Sequence, residues 1–351
     1  MSRIIRAGSN IQSRSRTMNS NTANALVSPG KILILLAVMT LITACTKTQA
    51  PEQLVFADPN QAMVSLVYIA EAQGYFRDEN LSVTYKKFTS GRDAMNSVLA
   101  GEADVGVATE FPFANNLLQG KPLRILGTLY RTNLNDAVVA RRDRGIQGAA
   151  DLAGKRIGVT PNTNSEFMLS TMLREEAIPE DKVTRVPLKP EQMVDALERG
   201  EVDGIATWSP HIVDAQERFA SDQTSTLRTP GYIALSLLGV RFATLAEKHE
   251  ALQRLIRALV RAEDFVNAHR DEALQIVVDH LAIEQPEKLQ EAWPELKFQV
   301  RLDNVLLSVL ANEGRWLAAR ATPQQPVPDY QATLAPEFLE AVRPQYVTVQ
   351  Q

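Results

Sequence analysis

The segment MNSVLAGEADVGVAT, at residues 95–109, has a close counterpart in MVDALERGEVDGIAT, at residues 193–207, and this doubled pattern indicates the fold. Each copy has the pattern of a helix end, a glycine that stops it, an acidic turn and a short apolar strand that ends in threonine. Gly101 and Gly200 stand where a left-handed residue caps a helix, a conformation that glycine adopts without steric conflict. Two lobes of similar topology are the simplest explanation of the repeat.

Around both copies, β-rich runs alternate with helical patterns. The predicted strands lie at residues 54–57, 81–85, 104–108, 123–127, 155–160, 183–188 and 232–240. Strand, helix, strand at these spacings predicts crossover connections and a mostly parallel sheet. We therefore expect an α/β fold of two lobes, each a mostly parallel sheet flanked by helices. Amphipathic helices after residue 240 should pack back onto the first lobe, followed by an extended tail at 322–351 with a short helix near Pro336.

The amino-terminal region has the three-part arrangement of a secretory signal. Five basic residues and no acid precede an apolar run after Lys31, which ends at Ala44 and at the only cysteine, Cys45. That run is shorter than the roughly 20 residues that span a bilayer. We predict a signal peptide at 1–44, with Met18 as an alternative start, and a tether at 45–53.

The sequence ITAC at residues 42–45 resembles the lipobox of bacterial lipoproteins. This resemblance implies that Cys45 is freed by cleavage and carries acyl chains such as palmitate. Several chains hold a protein on a membrane stably, since each buried methylene contributes about 0.8 kcal/mol. The predicted location is the cell envelope, facing the periplasm or the exterior, with the lipid as the only membrane contact. A plain secretory signal with a chance cysteine is the alternative, and the choice of inner or outer membrane stays open.

Composition limits the partners and the chemistry. The whole chain has a formal net charge of −4, and removal of the basic signal makes the rest more acidic, which argues against a nucleic-acid partner. Its length fits two domains better than one. No thiol remains after Cys45, and the four histidines do not have metal-site spacing. Nucleophile elbows and phosphate or dinucleotide fingerprints are missing from the sequence. We predict no cofactor, no metal and no enzymatic activity.

Four segments together resemble the type II periplasmic substrate-binding proteins of ABC importers, in the group that binds aliphatic sulfonates, taurine, nitrate and thiamine pyrimidines. They are AEAQGYF at 70–76, GEADVG at 101–106, DLAGKRIGV at 151–159 and DGIATW at 203–208.

The resemblance implies a hinged, two-lobed type II fold. Lobe 1 is expected at 54–133 and 234–351 and lobe 2 at 134–233, with crossings near 133–138 and 229–234. The lobes would close on a small-molecule ligand, and the closed monomer would deliver it to the permease and ATPase subunits. Two alternatives stay open: a binding protein that informs a signalling receptor, and an enzyme like the precursor synthase of this family, which uses a histidine as a reactant. His211 is the nearest histidine to a matching position.

Ligands of parallel sheets lie beyond the carboxyl ends of the strands. The residues that follow the predicted strands are therefore the predicted ligand contacts: Asn60, Gln61, Ser90, Gly91, Thr109, Glu110, Tyr130, Asn162, Thr163, Asn164, Ser165 and Trp208. The loop at 160–165 is the strongest candidate, because free amides at a helix start can hold an oxyanion. A capping box between Thr163 and Glu166 is the structural alternative.

Two of these residues bear on the kind of ligand. Glu110 would repel a small anion and favour a ligand with a hydrogen-bond donor, which weakens the nitrate and sulfonate interpretations. The alternatives for Glu110 are that it caps the next helix or forms an ion pair with Arg92 or Arg131. Trp208 is expected to form an aromatic wall or to pack inside lobe 2.

Overall fold

Two β-sheets carry the fold of residues 50–349, which are the residues that the computed structural model describes. The predicted signal peptide at 1–44, the predicted lipid site Cys45 and the first part of the tether lie outside the described residues. The chain from residue 50 onward makes one compact unit.

The strands of the described residues are short and alternate with helices over most of the chain. They are β1 (Glu52–Asp58), β2 (Leu81–Lys87), β3 (Val105–Thr109), β4 (Leu123–Thr132), β5 (Asp136–Arg141), β6 (Arg156–Val159), β7 (Thr184–Pro187), β8 (Gly204–Trp208), β9 (Thr224–Leu227), β10 (Ala234–Arg241) and β11 (Lys297–Arg301). The first sheet has the order β11-β4-β10-β3-β1-β2 and the second the order β7-β6-β8-β5-β9.

The α-helices cover the faces of these sheets. They are α1 (Ser65–Ala72), α2 (Tyr75–Asp78), α3 (Gly91–Ala100), α4 (Glu110–Leu118), α5 (Asn164–Glu175), α6 (Met193–Glu198), α7 (His211–Arg218), α8 (Phe242–Glu247), α9 (His249–Ala268), α10 (Arg270–Leu281), α11 (Glu287–Ala292), α12 (Asn304–Arg320) and α13 (Glu337–Glu340). None of the helices within residues 50–349 is both long and apolar enough to cross a membrane.

Strand direction follows from how the chain passes between the sheets. β1 pairs in parallel with β2 and β3, and β6 pairs in parallel with β7 and β8. β5 and β10, the first strands after the two crossings, run antiparallel to their neighbours. A strand that arrives from the other sheet starts where the parallel strands end and therefore runs the opposite way. The α/β fold of two sheets flanked by helices is confirmed, and both sheets are mixed, since five of the nine strand pairings of the described residues are antiparallel.

The sequence repeat has the same structural role in both sheets. Gly101 and Gly200 adopt left-handed conformations, with φ of 79° and 71°. The carboxylate of Asp104 accepts the amide of Val55 at 2.8 Å, and that of Asp203 accepts the amide of Arg156 at 2.9 Å. Each aspartate thus fastens the strand that it precedes to the neighbouring parallel strand.

Two short segments connect the sheets: residues 133–135 lead from β4 to β5, and residues 228–233 lead from β9 to β10. We call these segments the hinge. The predicted crossings coincide with them in part, although β5 already begins at Asp136. The predicted boundaries of the lobes stay a prediction.

Helix α12 also touches the second lobe. Trp316 packs against Phe167 of α5 with ring centroids 5.7 Å apart, and Phe111 lies 5.9 Å from the same ring. Arg320 forms an ion pair with Glu180 beside this contact. The carboxyl-terminal end of α12 therefore contacts the second lobe, next to Tyr232 of the hinge, whose ring also lies against Phe167.

Candidate ligand-binding cleft

A narrow polar cavity lies where parallel strands of both sheets end. The residues that line it come from both lobes: Gln61, Met63, Ser90, Gly91, Arg92, Thr109, Pro112, Asn135, Thr163, Asn164 and Trp208. Its volume is about 10 Å³, which is roughly the space that one water molecule needs. A ligand of several non-hydrogen atoms therefore requires the two walls to move apart.

The lobe 1 wall is built on the start of α3. Ser90 is the N-cap of this helix and accepts the amide of Asp93 at 3.2 Å. A side chain at Gly91 would place its Cβ 2.8 Å from the Cα of Ala108, so glycine lets the helix approach strand β3 closely. The first amides of α3 have no hydrogen-bond partners within the helix and form the positive end of its dipole.

Arg92 brings a full positive charge to this wall and reaches across the cleft. Its Nη1 donates to the carbonyl of Pro161 in lobe 2 at 2.9 Å, while its Nε pairs with Asp93 at 3.2 Å. In the structure it lines the cavity and links the two lobes across it.

The lobe 2 wall is the loop that enters α5. Thr163 donates its hydroxyl to the carbonyl of Thr160 at 2.7 Å, and Glu166 accepts the amide of Asn162 at 2.9 Å. The capping box between Thr163 and Glu166 is thus not formed, because each side chain has a different partner. Thr163 and Asn164 line the cavity.

Asp136 holds this wall from behind. It is 2% exposed and accepts hydrogen bonds from Nδ2 of Asn164 at 2.5 Å and Nδ2 of Asn135 at 2.8 Å. Burial raises the pKa of Asp136 to about 7, although both amide hydrogen bonds oppose the shift. Its carboxylate offsets the positive end of α5.

Trp208 forms part of the same wall. It is 4% exposed, it lines the cavity, and its ring meets the edge of His211 at 5.8 Å. Among the described residues, its indole Nε1 has no hydrogen-bond partner. The residue combines an aromatic surface with a donor that a ligand can use.

Glu110, the first residue of α4, contacts the hinge and is not among the residues that line the cavity. It is 0% exposed and accepts the hydroxyl of Tyr232 and, at 2.7 Å, the amide of Leu235. Within residues 50–349 it forms no ion pair with Arg92 or Arg131, and Arg92 pairs with Asp93 instead. Because the carboxylate of Glu110 accepts hydrogen bonds from the hinge and from strand β10, it is not free to repel an anionic ligand in the cleft.

Glu313 of α12 lies against Glu110. It is also 0% exposed, and among the described residues neither of its carboxyl oxygens has a hydrogen-bond partner. Burial raises the pKa of Glu110 to about 7 and that of Glu313 well above its usual value. Glu110 accepts two hydrogen bonds and Glu313 none, so Glu313 holds the proton. We call Glu110, Asp136 and Glu313 the buried acid cluster.

The structure brings seven of the predicted contacts together in the cavity wall: Gln61, Ser90, Gly91, Thr109, Thr163, Asn164 and Trp208. The other five do not line it. Asn60 is exposed and accepts from Lys87 at 3.0 Å, and Tyr130 donates to Asn135 at 3.2 Å. Ser165 is buried beside Thr163. Asn162 is exposed, and Glu110 is buried against the hinge. Ligand contact itself stays a prediction for all twelve.

Sequence reasoning missed the contributions of Met63, Pro112, Asn135 and Asp136. Met63 and Pro112 carry no polar signal. The crossing near residue 133 was predicted, and its position between two lobes was a signal that Asn135 and Asp136 should face the cleft region.

Two mixed sheets, with a polar cavity at the carboxyl ends of their parallel strands and two segments that connect them, are the fold of type II periplasmic binding proteins. Residues 61–273 match the family described as NMT1/THI5 like, and the chain belongs to this family.

The relatives that sequence comparison finds include binding proteins and an enzyme. The taurine-binding periplasmic protein of Escherichia coli strain K12 is 26% identical over 206 residues, 58% of this chain and 63% of that protein. A 4-amino-5-hydroxymethyl-2-methylpyrimidine phosphate synthase of Aspergillus parasiticus is 25% identical over 228 residues, 61% of this chain and 66% of the enzyme.

The solved structure of the alkanesulfonate-binding protein SsuA from Xanthomonas axonopodis pv. citri, bound to MOPS, has the same fold. It superposes with a TM-score of 0.66 at 18% identity, over 82% of this chain and 99% of SsuA. At this identity the likeness concerns the fold.

Proposed function

We propose that this protein is the solute receptor of an ABC importer and that it captures a small organic anion between its two lobes. The observation that carries the proposal is the position of Arg92 at the start of α3, where a guanidinium and free helix amides face one small cavity. Both groups favour a negatively charged ligand atom. The names of the taurine and alkanesulfonate relatives support a sulfonate as the anionic group.

Closure of the cleft is part of the proposed mechanism. Arg92 contacts Pro161 only when the walls are close, and a ligand that touches both walls shifts the population toward that closed form. The permease would then recognise the closed monomer. The placement of Glu110 outside the cavity wall supports an anionic ligand, because its charge is held by Tyr232 and Leu235.

The proposed location is the cell envelope, with the protein held on a membrane by acylated Cys45. Support comes from the signal-like sequence before this residue and from the periplasmic binding proteins among the relatives. Replacement of Cys45 with serine should abolish labelling of the protein by a fatty-acid analogue in the producing cell. Undiminished labelling would contradict the anchor.

A synthase activity has less support than binding. His211, the histidine nearest the cleft, lies beside Trp208 and 3.5 Å from Asp214, and it is not among the residues that line the cavity. A role in sensing would use the same fold and the same cleft. Neighbouring permease and ATPase genes would favour import over sensing.

The proposal is tested by the thermal stability of residues 46–351 with sulfonates, carboxylates, nitrate, sulfate and pyrimidines. A ligand at 100 times its dissociation constant should add about 2.7 kcal/mol to the free energy of unfolding. Arg92→Ala should abolish the shift caused by an anion, whereas Arg77→Ala, a change at an exposed arginine of α2, should leave it. Absence of a shift with every anion would refute the proposed function.

A further inference from the structure

The edge strand β11 and its neighbour β4 place three positive charges around a second cavity, outside the ligand cleft. Lys297 is the direct cross-strand partner of Arg131 in this antiparallel pair. Side chains of such partners stand on one face of the sheet, with Cβ atoms about 5 Å apart, and like charges there destabilise the pairing. Arg301 of β11 lines the same cavity as these two residues.

A bulge in β11 fixes the position of Arg301. Phe298 pairs with Tyr130, and the next pair along the strands joins Arg301 to Thr128. Between these two pairs β11 has one residue more than β4, which is the arrangement of a β-bulge. The hydroxyl of Thr128 holds the bulge, since it lies 3.0 Å from the carbonyl oxygen of Gln299 and 3.2 Å from that of Arg301.

The first two cations have no acid as a partner. Within residues 50–349 the guanidinium of Arg131 forms neither an ion pair nor a hydrogen bond, although the residue is partly buried. Lys297 donates to the carbonyl of Pro294 at 3.1 Å, which neutralises no charge. The repulsion between the two side chains is therefore not offset by the described residues.

The third cation is also incompletely paired. Asp303 is the only acid among the described residues that line the cavity, and its Oδ2 is 3.8 Å from Nη1 of Arg301. Its Oδ1 accepts the amide of Leu306 as the cap of α12. The Nε of Arg301 is buried and has no hydrogen-bond partner within the described part of the chain. Buried donors without an acceptor cost free energy, so this cavity favours an occupant that accepts.

We propose that Arg131, Lys297 and Arg301 form a binding site for a small inorganic anion of the size of chloride. The volume of the cavity is about 10 Å³, roughly the space of one water molecule, and the exposed side chain of Lys297 can move to admit a slightly larger ion. The side-chain amide of Gln299, whose Oε1 is also buried without a partner, can turn its NH2 group toward the ion.

This site is independent of the proposed function. The residues that line it and those that line the ligand cleft have no member in common. The bound ion would stabilise the edge of the first sheet by separating the two opposed cations, whatever solute the cleft takes.

The test is the linewidth of the chloride NMR signal during titration of residues 46–351 with sodium chloride, because exchange with a protein site broadens this signal. The wild type should broaden it saturably. Arg131→Gln and Arg301→Gln should each weaken chloride binding about tenfold, which corresponds to about 1.4 kcal/mol. Lys297→Gln should weaken it about threefold, since an exposed charge contributes less. Circular dichroism checks that each variant is folded, and the exposed position of Lys297 makes its variant the safest of the three.

Two control variants locate the ion. Arg124→Gln changes another partly buried arginine of β4, which lies over the ring of Phe242, and it should bind chloride like the wild type. Arg92→Gln changes the cleft and should leave this binding in place. Absence of saturable broadening in the wild type, or affinities unchanged in all three site variants, would overturn the inference. Loss of binding in Arg92→Gln alone would place the ion in the cleft and overturn it as well, without contradicting the proposed function.

Discussion

Replacement of Glu313 with glutamine should flatten the pH dependence of folding stability. Glu313 is fully buried against Glu110, and the desolvation of its carboxyl group raises its pKa well above the usual value of 4.5. At neutral pH the folded chain therefore holds a proton on Glu313 that the unfolded chain has released. A glutamine at this position has no proton to hold and can donate its amide hydrogen to Glu110.

The sign and size follow from this difference in bound protons. Stability from a group with a raised pKa is fully present below pH 4.5 and is lost as the pH rises toward the folded pKa. Each pH unit in that window lowers the free energy of unfolding by about 1.4 kcal/mol. From pH 5 to pH 7 the loss due to Glu313 is therefore at most about 2.7 kcal/mol, which is a large part of a typical folding stability of about 5–15 kcal/mol. His280 acts in the opposite direction, because burial lowers its pKa.

The assay is urea unfolding of residues 46–351, followed by circular dichroism at pH 5, 6 and 7. The wild type should lose stability across this range, and Glu313→Gln should lose less by up to about 2.7 kcal/mol, so that the variant is the more stable protein at pH 7. Glu340→Gln, at an exposed residue of α13, should follow the wild type. Equal pH slopes in the Glu313 variant and the wild type would refute the protonated state of Glu313.

Three further predictions concern other parts of the molecule. Asp104→Ala and Asp203→Ala each leave a strand amide without its acceptor. Each variant should therefore lower the free energy of unfolding by about 1–3 kcal/mol in urea titrations. An effect in one lobe alone would contradict a shared role of the two aspartates. Trp208→Phe should weaken ligand binding in titration calorimetry more than it lowers the melting temperature, because it removes the unpaired indole N–H but keeps a ring. The free energy of unfolding should lose a contribution from Asp136 as the pH rises from about 4 toward 7, since burial raises the pKa of Asp136 to about 7 and the folded chain holds a proton that the unfolded chain releases. An Asp136→Asn variant with the same pH slope as the wild type in urea titrations would count against this shift.

The architecture could be predicted because local sequence determines it. In both lobes a left-handed glycine ends the repeated helix, and the aspartate after it accepts an amide of the neighbouring strand. The spacing of these residues alone therefore indicated two similar sheets. Strands β5, β9 and β11 were not predicted. β5 lay partly inside a predicted crossing, and β9 is only four residues long.

The cavity wall could be predicted in part, since residues after parallel strands meet at one sheet edge. The buried acid cluster could not. Glu110 and Glu313 are about 200 residues apart in the sequence, and only the packing of α12 against α4 brings them together. The sequence placed Glu110 among the ligand contacts, but its partners Tyr232 and Leu235 come from the second crossing and from strand β10, whose path a single sequence does not fix.

The most direct test of the central claim is a measurement of the distance between the lobes with and without ligand. Spin labels at Lys86 and Glu191, both exposed and in different lobes, can be attached through introduced cysteines, because residues 46–351 contain no other cysteine. Pulsed electron paramagnetic resonance then gives the distribution of label distances. The account predicts a narrower distribution when an anion binds, because a ligand in contact with both walls holds them at one separation. Binding that is visible by calorimetry but leaves the distribution unchanged would contradict capture of the ligand by closure of the two lobes.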